Sequence, residues 1–384
     1  MVTSHIAIPP KISTEERKDR LRALRASMAE HAVDVVILSP GSSMRYFTGL
    51  GWGETERLVC ALVDREAIEF ICPRFEASSL TASVSIGIDH ASYWEEHEDP
   101  HRLTANRLKA RNAISVALDA NCSFGHASRL FDAADGVQCK RADTVIAPLR
   151  ACKSEAELAL MKAAKQITLD VHQQIFESLQ VGVRSSEVKA EIDRLHKAAG
   201  SDHGSSFCAV QFGEATSYPH GVPGDPALQP GELILIDTGC TLDGYNSDIT
   251  RSYALDQVDR RVEEVWAIEK EAQAATFAAA RPGLACEELD RIARDCLEAY
   301  DLGPDYQLPG LPHRVGHGIG LDIHEGPYLV RGDQTPLEPG MCFSNEPMIV
   351  VPQVFGVRLE DHFYITSDGA AWFTEPQKSL YEPF

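Results

Sequence analysis

Three short segments in the C-terminal half constrain this chain more than anything else in it: residues 236–251 (IDTGCTLDGYNSDITR), 313–327 (HRVGHGIGLDIHEGP) and 344–363, which opens SNEPMIV and closes GVRLEDHF. Each places acids or a histidine among apolar, β-branched or glycine residues. Asp237 ends the run Leu233-Ile234-Leu235-Ile236, where an unpaired carboxylate is costly. Thr238-Gly239 is expected to turn the chain sharply, with Asp248 on the returning strand, so that a hairpin brings both aspartates to one mouth. His317 stands between Gly316 and Gly318, whose missing side chains allow close backbone approach. Glu346 precedes Pro347, and Glu360 falls within Val357-Arg358-Leu359-Glu360-Asp361. Burying several carboxylates demands neutralising cations. Four acids and one imidazole form a hard, oxygen-rich set that balances two divalent ions. It suits Mn2+ or Co2+, with Zn2+ and Fe2+ as alternatives. Two ions about 3.5–4 Å apart bridge one water, lower its pKa and clamp the oxygens of a hydrolytic transition state.

The composition narrows the class. At 384 residues the chain predicts two domains. A formal net charge of -21 argues against nucleic acid and against docking on anionic lipid. It favours solubility and a field that concentrates cations. The ten cysteines form no CxxC or CxxCH motif, and several sit in apolar runs such as Leu58-Val59-Cys60-Ala61-Leu62. They read as buried free thiols in a reducing cytosol, hence a cytoplasmic protein. Neither a signal sequence nor a membrane span is legible.

Ser13-Thr14-Glu15-Glu16 starts a helix, with Ser13 as cap and Glu16 closing a capping box. Strands are expected at 34–38, 58–63, 67–72 and 113–118, with a polar turn at Asp64-Arg65-Glu66 and helices at 75–82 and 101–111. Such interspersion makes residues 1–150 an α/β layer domain. Residues 143–150 look like the boundary. Ser154 then caps a helix to about residue 179, and a second helix covers 186–199. Strands are expected at 206–210, 233–237 and 245–253, helices at 258–281 and 286–300, and closing strands at 341–350 and 357–365. Helix pairs alternating with strand groups predict an α+β domain over 151–384, with helices covering a curved sheet.

The motif set from about residue 153 to 384 resembles the pita-bread-fold metallopeptidases: Xaa-Pro dipeptidases (prolidases), Xaa-Pro aminopeptidases and methionyl aminopeptidases. The resemblance implies that Asp237, Asp248, His317, Glu346 and Glu360 hold two divalent metals, with Asp248 and Glu360 bridging them. It makes His220 face substrate, and His324 hydrogen-bond the scissile carbonyl or steady the tetrahedral intermediate. Glu346 doubles as proton shuttle. Arg358, two residues before Glu360, shares its face on a common strand and is expected in an active-site ion pair. Arg331 is a candidate grip for a substrate's terminal carboxylate. His313 reads as a structural partner of its loop.

Residues 1–150 resemble the creatinase-type N-terminal domain, which disfavours a minimal methionyl aminopeptidase. Met44-Arg45-Tyr46-Phe47-Thr48-Gly49 and Trp52-Gly53-Glu54-Thr55-Glu56-Arg57 are most like bacterial proline-specific dipeptidases. Trp52 is expected to line a neighbouring active site in a homodimer, with an ordinary packed tryptophan as the alternative. The implied activity is Xaa-Pro dipeptide hydrolysis, a metal-bridged hydroxide attacking the carbonyl before proline. Three alternatives stay open: an Xaa-Pro aminopeptidase taking longer peptides, a non-peptidase hydrolase or lyase of this fold, and an inactive binding module. The complete ligand set disfavours creatinase itself and the inactive module.

Overall fold

Side-chain caps and turns set the first elements of the computed structural model, which describes residues 6–384. Ser13 accepts the Glu16 N–H at the head of α1 (Thr14–Glu30). There follow β1 (Val35–Leu38), α2 (Ser42–Thr48), β2 (Cys60–Val63), β3 (Ile68–Pro73), α3 (Ala77–Ser83) and β4 (His90–Trp94). Then come α4 (Pro100–Ala110), β5 (Ser115–Leu118), α5 (Phe124–Ala133), β6 (Gln138–Arg141) and α6 (Asp143–Ala151). Asp64 Oδ1 accepts the N–H groups of Glu66 and Ala67 at 2.8 and 2.7 Å, which fixes the hairpin between β2 and β3. The sheet runs β4-β3-β2-β1-β5-β6. β1–β2 and β2–β3 are antiparallel, and the outer pairs and β1–β5 are parallel. This unit covers residues 12–150.

The other unit holds residues 151–384 with 6–11. Its helices α7 (Glu155–Ser178) and α8 (Ser185–Ala198) precede β7 (Ser205–Phe212), β8 (Ile234–Leu242), β9 (Tyr245–Asn246) and β10 (Ile249–Tyr253). Next come α9 (Arg260–Ala279), α10 (Cys286–Glu298), β11 (Gly316–Gly318), β12 (Glu325–Leu329) and β13 (Cys342–Asn345). The chain closes on β14 (Met348–Val351), β15 (Phe355–Arg358), β16 (Asp361–Ile365) and β17 (Ala370–Trp372). Ser154 and Glu157 close a capping box on α7.

β8 is buried on both faces. Ile234 and Ile236 pack with Val171, Ile175, Val188 and Ile192 of α7 and α8. Leu233 and Leu235 join the core of α9, α10 and the closing strands. Asp237 continues the Leu233–Leu235 face, as period two requires. Sheets β10-β8-β7 and β12-β11-β13-β16-β17, with the hairpin β14-β15, complete an α+β unit.

Four expectations about this backbone need correction. β8 runs straight through Thr238-Gly239 and turns at Asp243-Gly244 instead. Gly239 serves close approach: a Cβ there would lie 1.9 Å from the Ser247 carbonyl oxygen. The strand expected at 245–253 is two strands, broken at Ser247-Asp248. Those expected at 341–350 and 357–365 also break, at Glu346-Pro347 and Leu359-Glu360, as the chain passes between sheets. Residues 143–150 lie in α6, at the end of the first unit.

Two buried histidines behind the sheets carry a pH dependence. His172 Nε2–H donates to the Ile249 carbonyl at 3.0 Å. Burial, then the charge of Arg251, pushes its pKa down to about 3. Burial pushes His196 down to about 4. Both values are depressed, so below about pH 6.5 the unfolded chain binds more protons than the folded one. Their contribution is complete above that pH and drains as pH falls. From pH 6.5 to 4.5, H172Q should lose urea-measured stability less steeply than the unmodified chain, by about 1.4 kcal/mol per pH unit. Parallel curves would contradict this reading.

Candidate metal centre

The three strand breaks lie where acids are needed. At each one the backbone leaves its ladder and a carboxylate side chain takes a position that no regular strand would give it. Pro347, with no N–H to offer a ladder, ends β13 directly after Glu346. The Glu346 N–H goes to the Val315 carbonyl at 2.8 Å, and the Glu360 N–H goes to the Thr250 carbonyl at 3.1 Å. Behind Glu360 sits a fully buried ion pair, Arg251–Asp361, at 2.7 Å. Arg251 Nη1 also donates to the Glu360 carbonyl at 2.9 Å, and so fixes that joint from behind.

β11 brings in the imidazole. A Cβ on Gly316 would lie 2.1 Å from the Ser344 oxygen, and one on Gly318 would lie 2.4 Å from the Glu325 oxygen. Only glycine lets β11 seat between β12 and β13. His317 Nδ1 lies 3.0 Å from the Gly318 carbonyl, which can only accept, so Nδ1 donates there. Nε2 stands 3.1 Å from Glu346 Oε1 and 3.9 Å from Asp248 Oδ2.

Asp237, Asp248, His317, Glu346 and Glu360 converge, and three carboxylate oxygens among them have no partner. Asp237 Oδ1, Asp248 Oδ1 and Glu360 Oε1 are buried without a hydrogen bond from any described residue. Asp237 Oδ2 takes Arg358 Nη2 at 2.5 Å, and Glu360 Oε2 takes the Thr250 hydroxyl at 2.7 Å. Burial raises the pKa of Asp248, and the charges of Glu360 and Asp237 raise it further. Glu360 rises through burial and then Glu346 and Asp237. Asp237 rises through burial, against the pull of Arg358. Glu346 goes the other way. Burial works against its charge, but the bond to His317 and the charges of His317, His313 and Arg358 bring it to about 2.

Such a set fits divalent cations. The combinations Asp248/His317/His324, Asp248/Glu360/His362 and His317/Glu346/Glu360 each have donor atoms within 4.8 Å of one another. Donors about 2.1 Å from one ion are separated by at most about 4.2 Å, and the separations of 3.1 and 3.9 Å around His317 meet that. Arg358, one strong positive charge, serves four acids and is itself raised by them once burial is overcome.

The remaining candidates divide. Arg358 forms the expected ion pair, with Asp237 rather than Glu360, and its Nε donates to Thr250 at 3.0 Å. His324 is exposed, and its ring meets His317 edge-on, centroids 4.2 Å apart. Burial of part of its ring and then His317 push it down to about 4. His220 is exposed and acts electrostatically on both His313 and His324. Arg331 is exposed and ion-paired to Asp305, and no acid of the cluster acts on it. Trp52 lies half-buried in the loop between α2 and β2 of the other unit. Two histidines not drawn into the site from the sequence lie against it. His313 has a buried, unpartnered Nε2 and feels Glu346 and Arg358. His362 Nε2 stands 3.9 Å from Glu360 Oε1. No local pattern marks His362 in the sequence, because Glu360 stands outside both β15 and β16.

Residues 159–367 match the model of metallopeptidase family M24, and residues 20–152 match the creatinase/prolidase N-terminal domain. The chain belongs to metallopeptidase family M24. It is 32% identical to a putative dipeptidase, YkvY, of Bacillus subtilis, over 94% of this chain and 99% of that protein. It is 29% identical to an Xaa-Pro dipeptidase of Pyrococcus furiosus, again over 94% and 99%. The crystal structure of dipeptidase PepE from Mycobacterium ulcerans matches with a TM-score of 0.89 at 30% identity, covering 98% of this chain and 100% of that one. The fold is therefore the pita-bread catalytic domain of M24 preceded by a creatinase-type N-terminal domain. Family membership and the donor cluster together make the centre one for divalent metal.

A cation bound to the fold and not to the unfolded chain stabilises it by mass action. At about 100 times its Kd, Mn2+ or Co2+ should add about 2.7 kcal/mol per site, read as a rise in Tm of the chelator-stripped chain. D248N should lose most of that response. A Tm indifferent to both ions would contradict the assignment.

Proposed function

We propose that this chain hydrolyses the peptide bond before proline in Xaa-Pro dipeptides, using two divalent ions, Mn2+ foremost, with Co2+ or Zn2+ as substitutes. Asp237, Asp248, His317, Glu346 and Glu360 would hold the pair. The unpartnered oxygens of Asp237, Asp248 and Glu360 carry the reading. The Xaa-Pro dipeptidase similar along nearly its whole length supports the substrate class. Bound divalent ions supply an acidified water and a polarised carbonyl.

The chain's own groups do the rest. Glu346, held at about 2, is proton-free at neutral pH and ready to take the proton of the attacking water and deliver it to the proline nitrogen. His324, held near 4, is neutral there and offers an N–H to the carbonyl oxygen as charge develops on it. Arg358 orients Asp237 and favours its charged form against burial. His220, exposed beside His313 and His324, faces the substrate.

The test is proline release from Ala-Pro and Met-Pro, compared with Ala-Pro-Ala, across Mn2+, Co2+ and Zn2+. Dipeptide hydrolysis in preference to the tripeptide is the expected result, and H324A should lower kcat by about 10²–10³ with a smaller change in KM. Faster cleavage of the tripeptide would make the enzyme an Xaa-Pro aminopeptidase. No cleavage across the panel would overturn the activity.

The active form is a homodimer in which Trp52 lines the partner's site, and it works in the cytoplasm, a location supported by ten free cysteines. No helix of the described residues is long and apolar enough to cross a membrane. Light scattering should give twice the 42.1 kDa of one chain, and W52A should raise KM with little loss of kcat. A monomer of full activity would contradict the dimer.

A further inference from the structure

His362 is a buried side chain whose ring nitrogens make no hydrogen bond of ordinary geometry with the described residues. It is fully buried on β16, two residues after Glu360. Neither ring nitrogen has a hydrogen-bond partner, although the Asp248 backbone lies nearby. A neutral imidazole carries one donor and one acceptor nitrogen, and burying both without a good partner is costly. The neighbouring polar atoms do not relieve it. Asp248 Oδ1 and Glu360 Oε1 are unpartnered too. Asp248, Glu360 and His362 offer one donor atom each within a 4.8 Å span. His362 Nε2 to Glu360 Oε1 is 3.9 Å, too long for a hydrogen bond and within the about 4.2 Å that separates two donors of one ion. Two acid oxygens and an imidazole nitrogen left unpartnered together have one common remedy, a cation between them.

We propose that His362 is a sixth protein donor to the metal pair, binding the ion it shares with Asp248 and Glu360. This rests on the two-ion reading of the site. His317 and His362 then enter from different strands, β11 and β16, of one sheet. A second imidazole makes the site less purely oxygen-rich. Imidazole favours Co2+, Zn2+ and Fe2+ over Mn2+, whereas carboxylates alone favour Mn2+. His362 is thus a specificity-determining residue for the metal.

Calorimetric titration of the chelator-stripped full chain tests this, with Co2+ and with Mn2+ separately. The unmodified chain should take two ions. In H362Q one Co2+ step should weaken by about tenfold or more, the same step for Mn2+ should weaken less, and the visible absorption of the Co2+-loaded chain should change. A two-ion chain whose H362Q variant keeps both affinities and the same Co2+ spectrum overturns this inference alone. An unmodified chain that binds neither ion overturns the two-ion reading and this inference with it. A measurement on the unmodified chain covers the case in which H362Q does not fold. The Co2+-loaded protein should show at least two slowly exchanging, paramagnetically shifted imidazole N–H proton resonances. A single such resonance overturns the proposal.

Discussion

Mutual repulsion among buried carboxylates is the constraint on which this fold depends. Two like charges about 4 Å apart repel by about 4 kcal/mol at an effective dielectric of about 20. Asp237, Asp248, Glu346 and Glu360 share a burial that leaves three of their oxygens without partners. Arg358 and His317 answer part of this, the one at Asp237 and the other at Glu346. Their combined reach explains why Glu346 alone is brought low while its three neighbours are driven up. A divalent pair supplies the missing positive charge, and the M24 family to which the chain belongs is one of metallopeptidases.

The scaffold makes that arrangement rigid. Glu360 is anchored through its backbone by Thr250 and Arg251, and Arg251 is locked by Asp361 in a pair with no solvent exposure. Removing either partner of such a pair leaves an uncompensated buried charge. Asp361 Oδ2 also takes Gln273 Nε2 of α9 at 3.2 Å. The helix layer therefore reaches the site through two side chains, and the apolar core of α9 and α10 sets where Glu360 stands.

Much of this was legible in the sequence, for reasons tied to particular residues. Apolar runs such as Leu233-Ile234-Leu235-Ile236 declared their strand, and Ser154 with Glu157 declared the start of α7. The acids declared themselves because Asp237 and Glu360 sit where burial makes no sense without a cation. The breaks were harder. Uniform burial on both sides of Glu346 and Glu360 hides a change of sheet, because strands of both sheets lie in the interior. Gly239 was read as a turn, and only the proximity of the Ser247 carbonyl shows that it serves packing. β6 escaped notice because Gln138-Cys139-Lys140-Arg141 is exposed along its length and carries no apolar alternation. The role of His362 depends on three unpartnered atoms meeting, which no local pattern records.

Anomalous X-ray diffraction from crystals of the Mn2+-loaded chain, collected at the manganese edge, tests the central claim most directly. Two peaks a few ångströms apart, both within bonding distance of Asp248 and Glu360, are the predicted result. A map in which the four carboxylates stay together with no anomalous scatterer between them would contradict it.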